Sequence, residues 1–308
     1  MKKTSKTVVF FGNERLATGV TTSTPTLKAL IKSGYNIAAI VSNHRPSNSR
    51  TVRHLEVELF AREHNIPLLL PPSPLEISDQ LKSFGASTGI LVAYGKIVPQ
   101  SIIDIFSNGI VNIHPSSLPL HRGPTPIESV ILDGSTSTSV SLMRLVKAMD
   151  AGPVYGQTEV KLSGNESKQE ITYKLGKVGS EMLIELLPDI MSGKLHPTDQ
   201  QDSDATYDRL ILKADGVIDW NKPAKMIERE VRAFSGWPGS KTILAGKECL
   251  ITKSHVVPAD GEPGSLQTTS TELVIMTKQD GLSIDVLKPS GKSEMDIKSF
   301  LAGYAQRL

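Results

Sequence analysis

The sequence predicts an α/β protein in which a parallel sheet carries helices on both faces, followed by a small antiparallel β-barrel. Three observations lead there. Short β-rich runs alternate with helical stretches through the first half, a polar, turn-rich stretch interrupts the chain near residue 200, and the final third breaks into short β-rich pieces separated by Gly, Pro and Asp. A length of 308 residues suits about two domains.

In chain order, Thr7 to Phe11, Asn36 to Val41, Pro67 to Leu70, Thr88 to Val92 and Gly109 to Ile113 read as strands. Helical patterns lie between them at Thr24 to Ser33, Thr51 to His64, Glu76 to Phe84 and Pro99 to Phe106. Such alternation implies βαβ units in a Rossmann-like sheet, whose ligand crevice lies beyond the carboxyl ends of the strands. A further helix is expected from Ser167 to Ile190. The stretch from Ser192 to Asp204 (SGKLHPTDQQDSD) is rich in turn formers and marks a linker. After a helix near Pro223 to Phe234, the pieces Lys241 to Leu244, Leu250 to Thr252, Leu273 to Met276 and Leu282 to Leu287 fit an OB-like barrel. The expected domains are 1–193 and 207–308, joined by 194–206.

Composition narrows the function classes. No apolar run approaches the roughly 18 residues that span a bilayer, and Met-Lys-Lys leads into the first strand instead of a signal sequence, so a cytoplasmic protein is expected, without a membrane partner. The single cysteine, Cys249, excludes an internal disulfide and a Cys-cluster metal site, and its apolar flank reads as a buried small hydrophobe. The seven histidines show no H-x-x-x-H or H-E-x-x-H spacing, so no metal is expected. The net charge of +2 does not announce a nucleic-acid partner, and the small basic excess lies wholly in residues 209–308, with 14 Lys+Arg against 12 Asp+Glu. FFGNERLATG lacks G-x-G-x-x-G, which argues against nicotinamide chemistry. Nothing here sets the oligomeric state, and a monomer is expected.

The chemistry concentrates between Val111 and Gly156. Asn112 and His114 alternate around Ile113 at the end of the fifth strand, so both point to one side. Asp150 follows in a Met-Asp-Ala-Gly-Pro turn that returns to the same crevice. Asn, His and Asp together suit acyl transfer to an amine without a covalent enzyme intermediate. Asn112 and a protonated His114 donate to the oxygen that gains charge, and Asp150 favours the imidazolium and takes the amine proton directly or through water. A Ser116 or Ser117 nucleophile is the competing reading, although neither sits in a G-x-S-x-G elbow.

The joined pattern Asn112-x-His114-Pro-Ser-x-Leu-Pro, Arg122-Gly123 and Met149-Asp150-Ala-Gly-Pro resembles the signature of 10-formyltetrahydrofolate-dependent formyltransferases. The resemblance implies that Asn112, His114 and Asp150 are the catalytic trio and 10-formyltetrahydrofolate is the formyl donor. It also implies folate contacts at Tyr94, Gly95 and Ile97, at Ser116, Ser117, Leu118 and Pro119, and in the loop around Asp150, made largely by the main chain.

The C-terminal third is similar to that of methionyl-tRNA formyltransferases, in Ala205-Thr-Tyr207, Asp215 to Trp220, Trp237-Pro-Gly239, Gly261-Glu-Pro-Gly264 and Phe300-Leu-Ala-Gly-Tyr304. This implies initiator methionyl-tRNA as acceptor. Sugar-nucleotide N-formyltransferases are the alternative, and a catalytically inactive RNA-binding protein is the alternative from another class. Three segments depart from the family: Gly12-Asn-Glu-Arg-Leu-Ala-Thr replaces Gly-Thr-Pro-x-Phe-Ala, the basic loop after the second strand is reduced to Ser42–Arg53, and Leu120-His121 replaces a basic and an aromatic residue. Arg45, Arg50 and Arg53 in the loop and Lys241, Lys247 and Lys253 on the barrel are the candidate tRNA contacts.

Overall fold

The computed structural model describes residues 6–43 and 54–308. They form two compact units, one of residues up to 127 with 136–162 and 169–209, the other of 128–135, 163–168 and 210–308.

The first unit is built on a seven-stranded sheet. Strands β1 (Thr7–Gly12), β2 (Asn36–Val41), β3 (Leu68–Leu69), β4 (Thr88–Val92), β5 (Ile110–His114), β6 (Ser137–Arg144) and β7 (Val154–Lys161) lie in the order β3-β2-β1-β4-β5-β6-β7. Strands β1 to β5 pair in parallel, and β6 and β7 extend the sheet with antiparallel pairing. The parallel part matches the predicted strands to within a residue or two at each end.

Helices α1 (Pro25–Lys32), α2 (Glu56–Glu63), α3 (Ser78–Ser83) and α4 (Gln100–Ile103) occupy the predicted intervals, and α6 (Lys168–Ser192) the later one. Helix α5 (Pro126–Asp133) and strand β6 were not read from the sequence. Alternation along β1 assigns the two faces. Val9 and Phe11 join the core under α3 and α4, with Leu81, Ile102 and Phe106. On β5, Ile113 faces α6, which comes close because a Cβ at Gly179 would lie 2.6 Å from the Ile113 side chain. Asn112 and His114 therefore share the opposite face with Ile110.

Helix α1 starts where Pro25 enters at its first turn, a position that needs no N–H. Its orphan donors find Glu14, whose two carboxylate oxygens accept the N–H groups of Thr26 at 2.8 Å and Leu27 at 2.9 Å. Glu14 is 3% exposed, and burial pushes its carboxyl up to about 7 against the downward pull of those two donors.

The stretch 194–206, expected as a linker, is tied into the first unit. Val154 and Thr198 exchange N–H···O bonds of 2.8 and 2.9 Å, and the N–H groups of Lys194 and Leu195 donate to the Asp189 carbonyl. A polar segment at a surface satisfies its main chain in this way without forming a regular element.

The second unit carries α7 (Ala224–Ala233) and a curled antiparallel sheet of β8 (Ser240–Leu244), β9 (Lys247–Val257), β10 (Leu266–Thr268), β11 (Leu273–Met276), β12 (Gly281–Pro289) and β13 (Met295–Asp296). Its order is β10-β11-β12-β9-β8, with β13 on β12. Helix α8 (Ile297–Tyr304) follows, capped by the Asp296 side chain accepting from the Ser299 N–H at 2.8 Å. Cys249 is fully buried in this core beside Ile251, Leu282 and Phe300, and burial pushes its thiol up. Residues from the middle of the chain complete the unit. Arg229 donates to the carbonyls of Leu132 and Asp133, Arg232 to that of Glu166, and Lys168 to that of Trp237. Lys168 also stands 3.6 Å from Glu128, both almost fully buried, and burial lowers the lysine despite its partner.

Candidate active site

The carboxyl end of β5 brings Asn112, His114 and the Asp150 loop together. Both β5 side chains are 5% exposed. The His114 Nε2 lies 3.0 Å from the His121 carbonyl. A carbonyl only accepts, so Nε2 carries the hydrogen and donates it. That leaves Nδ1 as the nitrogen that exchanges a proton, and Nδ1 faces Asp150 Oδ1 at 3.9 Å. This is an ion-pair distance but too long for a direct hydrogen bond, so only an atom beside the line joining the two groups can bridge them. The Asn112 amide has no side-chain hydrogen bond among the described residues, which leaves its donor free for a ligand.

Asp150 is itself held from two sides. Its Oδ2 accepts the Gly123 N–H at 2.9 Å, and its carbonyl accepts from Gln200 Nε2 at 2.8 Å. The same Nε2 donates to the Gly152 carbonyl at 2.7 Å. Arg122, 1% exposed, directs Nε and Nη2 at Gln200 Oε1 at 3.0 and 2.9 Å. It also donates to Asp202 at 2.7 Å and to the Tyr207 hydroxyl at 2.8 Å. Asp150 adopts a positive φ of 47°, and Gly123 one of 117°, where an added Cβ would lie 2.7 Å from the Asp208 carbonyl oxygen.

The serines of the following turn serve the fold. Ser116 Oγ donates to the Leu120 carbonyl at 2.7 Å and Ser117 Oγ to Ser139 Oγ at 2.8 Å. Ser141 on β6 donates to the Ser116 carbonyl at 2.7 Å, and Gln157 on β7 donates to Ser141 Oγ and to the Leu118 carbonyl. A hydroxyl engaged in this way has no base beside it, so the geometry favours the reading without a serine nucleophile.

The loop after β4 turns through positive φ at Ala93 (51°) and Gly95 (71°). Tyr94 is 2% exposed and its ring packs edge-on against Phe11 at 5.8 Å, within the core of this unit. Gly95 and Ile97 are exposed, whereas Ser116 and Leu118 are buried and Ser117 and Pro119 half-buried. Arg45, Arg50 and Arg53 lie outside the described residues. The three barrel lysines do not form one cluster: Lys241 on β8 stands 3.8 Å from Glu248, Lys247 opens β9 opposite Leu244, and Lys253 is exposed opposite Val286. Among the described residues no group of three His, Cys, Asp or Glu could hold a metal, and no helix is long and apolar enough to cross a membrane.

Comparison with known proteins adds a decisive observation. The formyl transferase family model matches residues 8–187, and its C-terminal domain model matches residues 210–305. The chain belongs to the formyl transferase family.

Within this family it is 35% identical over 304 residues to methionyl-tRNA formyltransferase of Methylococcus capsulatus, covering 97% of both chains. It is 35% identical over 285 residues to that of Chloroflexus aurantiacus, covering 90% of this chain and 92% of the relative. Among solved structures, an N-formyltransferase from Helicobacter canadensis in complex with folinic acid and dTDP-3-aminofucose shares the fold, with a TM-score of 0.68 at 16% identity over 91% of this chain and 98% of that one. HypX from Aquifex aeolicus in complex with tetrahydrofolic acid does so with a TM-score of 0.67 at 16% identity, over 97% of this chain and 47% of that one.

The predicted trio thus meets in one place in a formyl transferase. Sequence reading did not find the His121 carbonyl or Gln200. The carbonyl has no residue type to announce it, and Gln200 sits in a polar stretch where nothing separates it from Asp199 or Gln201.

Proposed function

We propose that this formyl transferase moves the formyl group of 10-formyltetrahydrofolate to the amino group of methionyl-tRNA by direct amine attack. The meeting of Asn112, His114 and Asp150 at the carboxyl end of β5 carries the reaction type, and similarity to methionyl-tRNA formyltransferases over both units supports the acceptor. The solved sugar N-formyltransferase is alike in fold at far lower identity, which makes a sugar amine the second reading.

The residues present fit a folate co-substrate. Asn112, 5% exposed, offers an amide with no side-chain partner among the described residues. The main chain of residues 93–97 and the Ser116–Pro119 turn flank the same strand ends, where α/β sheets hold ligands. The donor's contribution is an activated formyl carbon.

The chain's own groups do the rest. As the amine nitrogen bonds to the formyl carbon, negative charge grows on the formyl oxygen, and the Asn112 amide and a protonated His114 Nδ1 are the donors that stabilise it. Asp150 compensates the imidazolium across 3.9 Å and accepts the proton that the amine must lose, directly or through a water. The C–N bond to the folate then breaks, the folate nitrogen takes up the proton held by Asp150, directly or through water, and the oxygen recovers its double bond. Asn112 and His114 are preorganised for this, one by its strand and the other by the His121 carbonyl, so little reorganisation is needed.

The test offers the purified protein 10-formyltetrahydrofolate with methionyl-tRNA, glycinamide ribonucleotide and amino-sugar nucleotides in parallel. Formyl-methionyl-tRNA as the main product is expected. Efficient formylation of an amino sugar beside inert methionyl-tRNA would replace the acceptor, and inertness toward all three would end the reading.

A further inference from the structure

We propose that Gln200 is a positioning residue for formyl transfer, holding the Asp150 loop so that the carboxylate faces His114. The proposal rests on the reaction assigned above and extends it to a side chain that touches none of the reacting atoms.

The argument starts from the backbone of Asp150. A non-glycine residue at φ 47° is uncommon and persists only where its surroundings over-determine it. Among the described residues the Asp150 side chain accepts one hydrogen bond, from the Gly123 N–H, and this anchor would swing with the loop if the main chain were free. Gln200 supplies the second tether by donating to the carbonyls of Asp150 and Gly152, one on each side of Ala151. The loop's other flank is fixed by close approach, since a Cβ at Gly152 would fall 1.8 Å from the Arg144 carbonyl oxygen.

The Gln200 amide can adopt only one orientation. Guanidinium nitrogens accept no hydrogen bonds, so the atom facing Arg122 Nε and Nη2 must be Oε1, which points Nε2 at the two carbonyls. Arg122 is covalently joined to Gly123. The circuit therefore closes: Gly123 holds the Asp150 carboxylate, Gln200 holds the Asp150 main chain, and Arg122 holds Gln200. Asp202 and Tyr207 fix the guanidinium in turn. An amide is required here and a carboxylate is not equivalent. Glu at position 200 would keep the bonds to Arg122 and strengthen them, but would present an oxygen to two carbonyl oxygens.

The experiment compares wild type, Gln200→Ala, Gln200→Glu, Asp150→Asn and the double variant Asp150→Asn/Gln200→Glu, with whichever amine wild type formylates. Thermal melts and folate affinity by calorimetry are recorded beside kcat and KM. For Gln200→Glu we expect a cooperative melt, KM values within about threefold of wild type and kcat lowered by about 10- to 100-fold, the scale of an ångström-level displacement at a reacting group. In the Asp150→Asn background the same change should cost less than about threefold, because the carboxylate it positions is already gone. Gln200→Ala should lose turnover similarly. A Gln200→Glu enzyme that turns over within about twofold of wild type, or a loss as large in the Asp150→Asn background as in wild type, overturns the proposal. A wild type inert toward every amine defeats the reading beneath it instead, and the two failures are distinct.

Discussion

The imidazole of His114 faces the carboxylate of Asp150 across 3.9 Å, with Nδ1 toward Oδ1, while its other nitrogen is bound to a backbone carbonyl. One ring nitrogen is thereby fixed by the main chain and the other is left facing a carboxylate, at a distance short enough for charge compensation.

His114→Ala and Asn112→Ala should each lower kcat by about 100-fold or more, the usual consequence of removing one donor to a developing oxyanion. Circular dichroism and melting should show a folded protein, since Asn112 makes no side-chain bond among the described residues. Turnover within a few-fold of wild type in both variants would remove the mechanism.

Asp150→Asn tests charge apart from shape. An asparagine oxygen can still accept the Gly123 N–H, so the loop keeps that anchor, yet it can neither compensate an imidazolium nor take up a proton. Activity should collapse while folate affinity, measured by calorimetry, changes little. An Asn variant that turns over normally near neutral pH would disprove the role of the carboxylate.

Glu14 makes stability depend on pH in an unusual direction. Its folded value of about 7 lies above the ordinary 4.5, so the folded state holds the proton longer than the unfolded one. Its contribution is whole below about pH 4.5, declines as pH rises and is lost above about pH 7, a fall of about 3 kcal/mol. Urea unfolding of wild type and Glu14→Gln across that window should diverge accordingly. Parallel pH profiles for the two proteins would show that the carboxyl titrates alike in the folded and unfolded states.

Methionyl-tRNA affinity should fall as salt rises, with a logarithmic slope of roughly 0.7 to 0.9 per phosphate contact. The dependence should be shallow, because the basic excess is small and Lys241 already stands beside Glu248. Neutralising Arg45, Arg50 and Arg53 should weaken tRNA binding and lower kcat/KM while sparing folate affinity. Salt-independent tRNA binding in filter assays would argue against phosphate contacts.

Sequence reading found what periodicity encodes. The runs Asn36–Val41 and Thr88–Val92 end where the strands end, because buried parallel strands are continuous apolar runs bounded by turn residues. Strand β6 was missed because its alternating Ser and Thr look like a loop, whereas Ser139 and Ser141 are spent on holding the Ser116–Pro119 turn. Strand β9 is much longer than the apolar core Leu250–Thr252 implies, since glutamate, lysine and histidine stand at its exposed positions. The trio was legible because each member is a chemically distinctive residue at a strand end or turn. The Gln200 circuit was not, since its meaning lies in what an ordinary glutamine touches.

The backbone passes back and forth between the two units at 127/128, 135/136, 162/163, 168/169 and 209/210. The second unit is therefore not a cassette that a single recombination event can exchange. A chimera joined at residue 210 would inherit the curled sheet from one parent but the Glu128–Lys168 pair and the carbonyls bound by Arg229 and Arg232 from the other. Grafting the second unit onto a relative requires three stretches of sequence, 128–135, 163–168 and 210–308, to travel together.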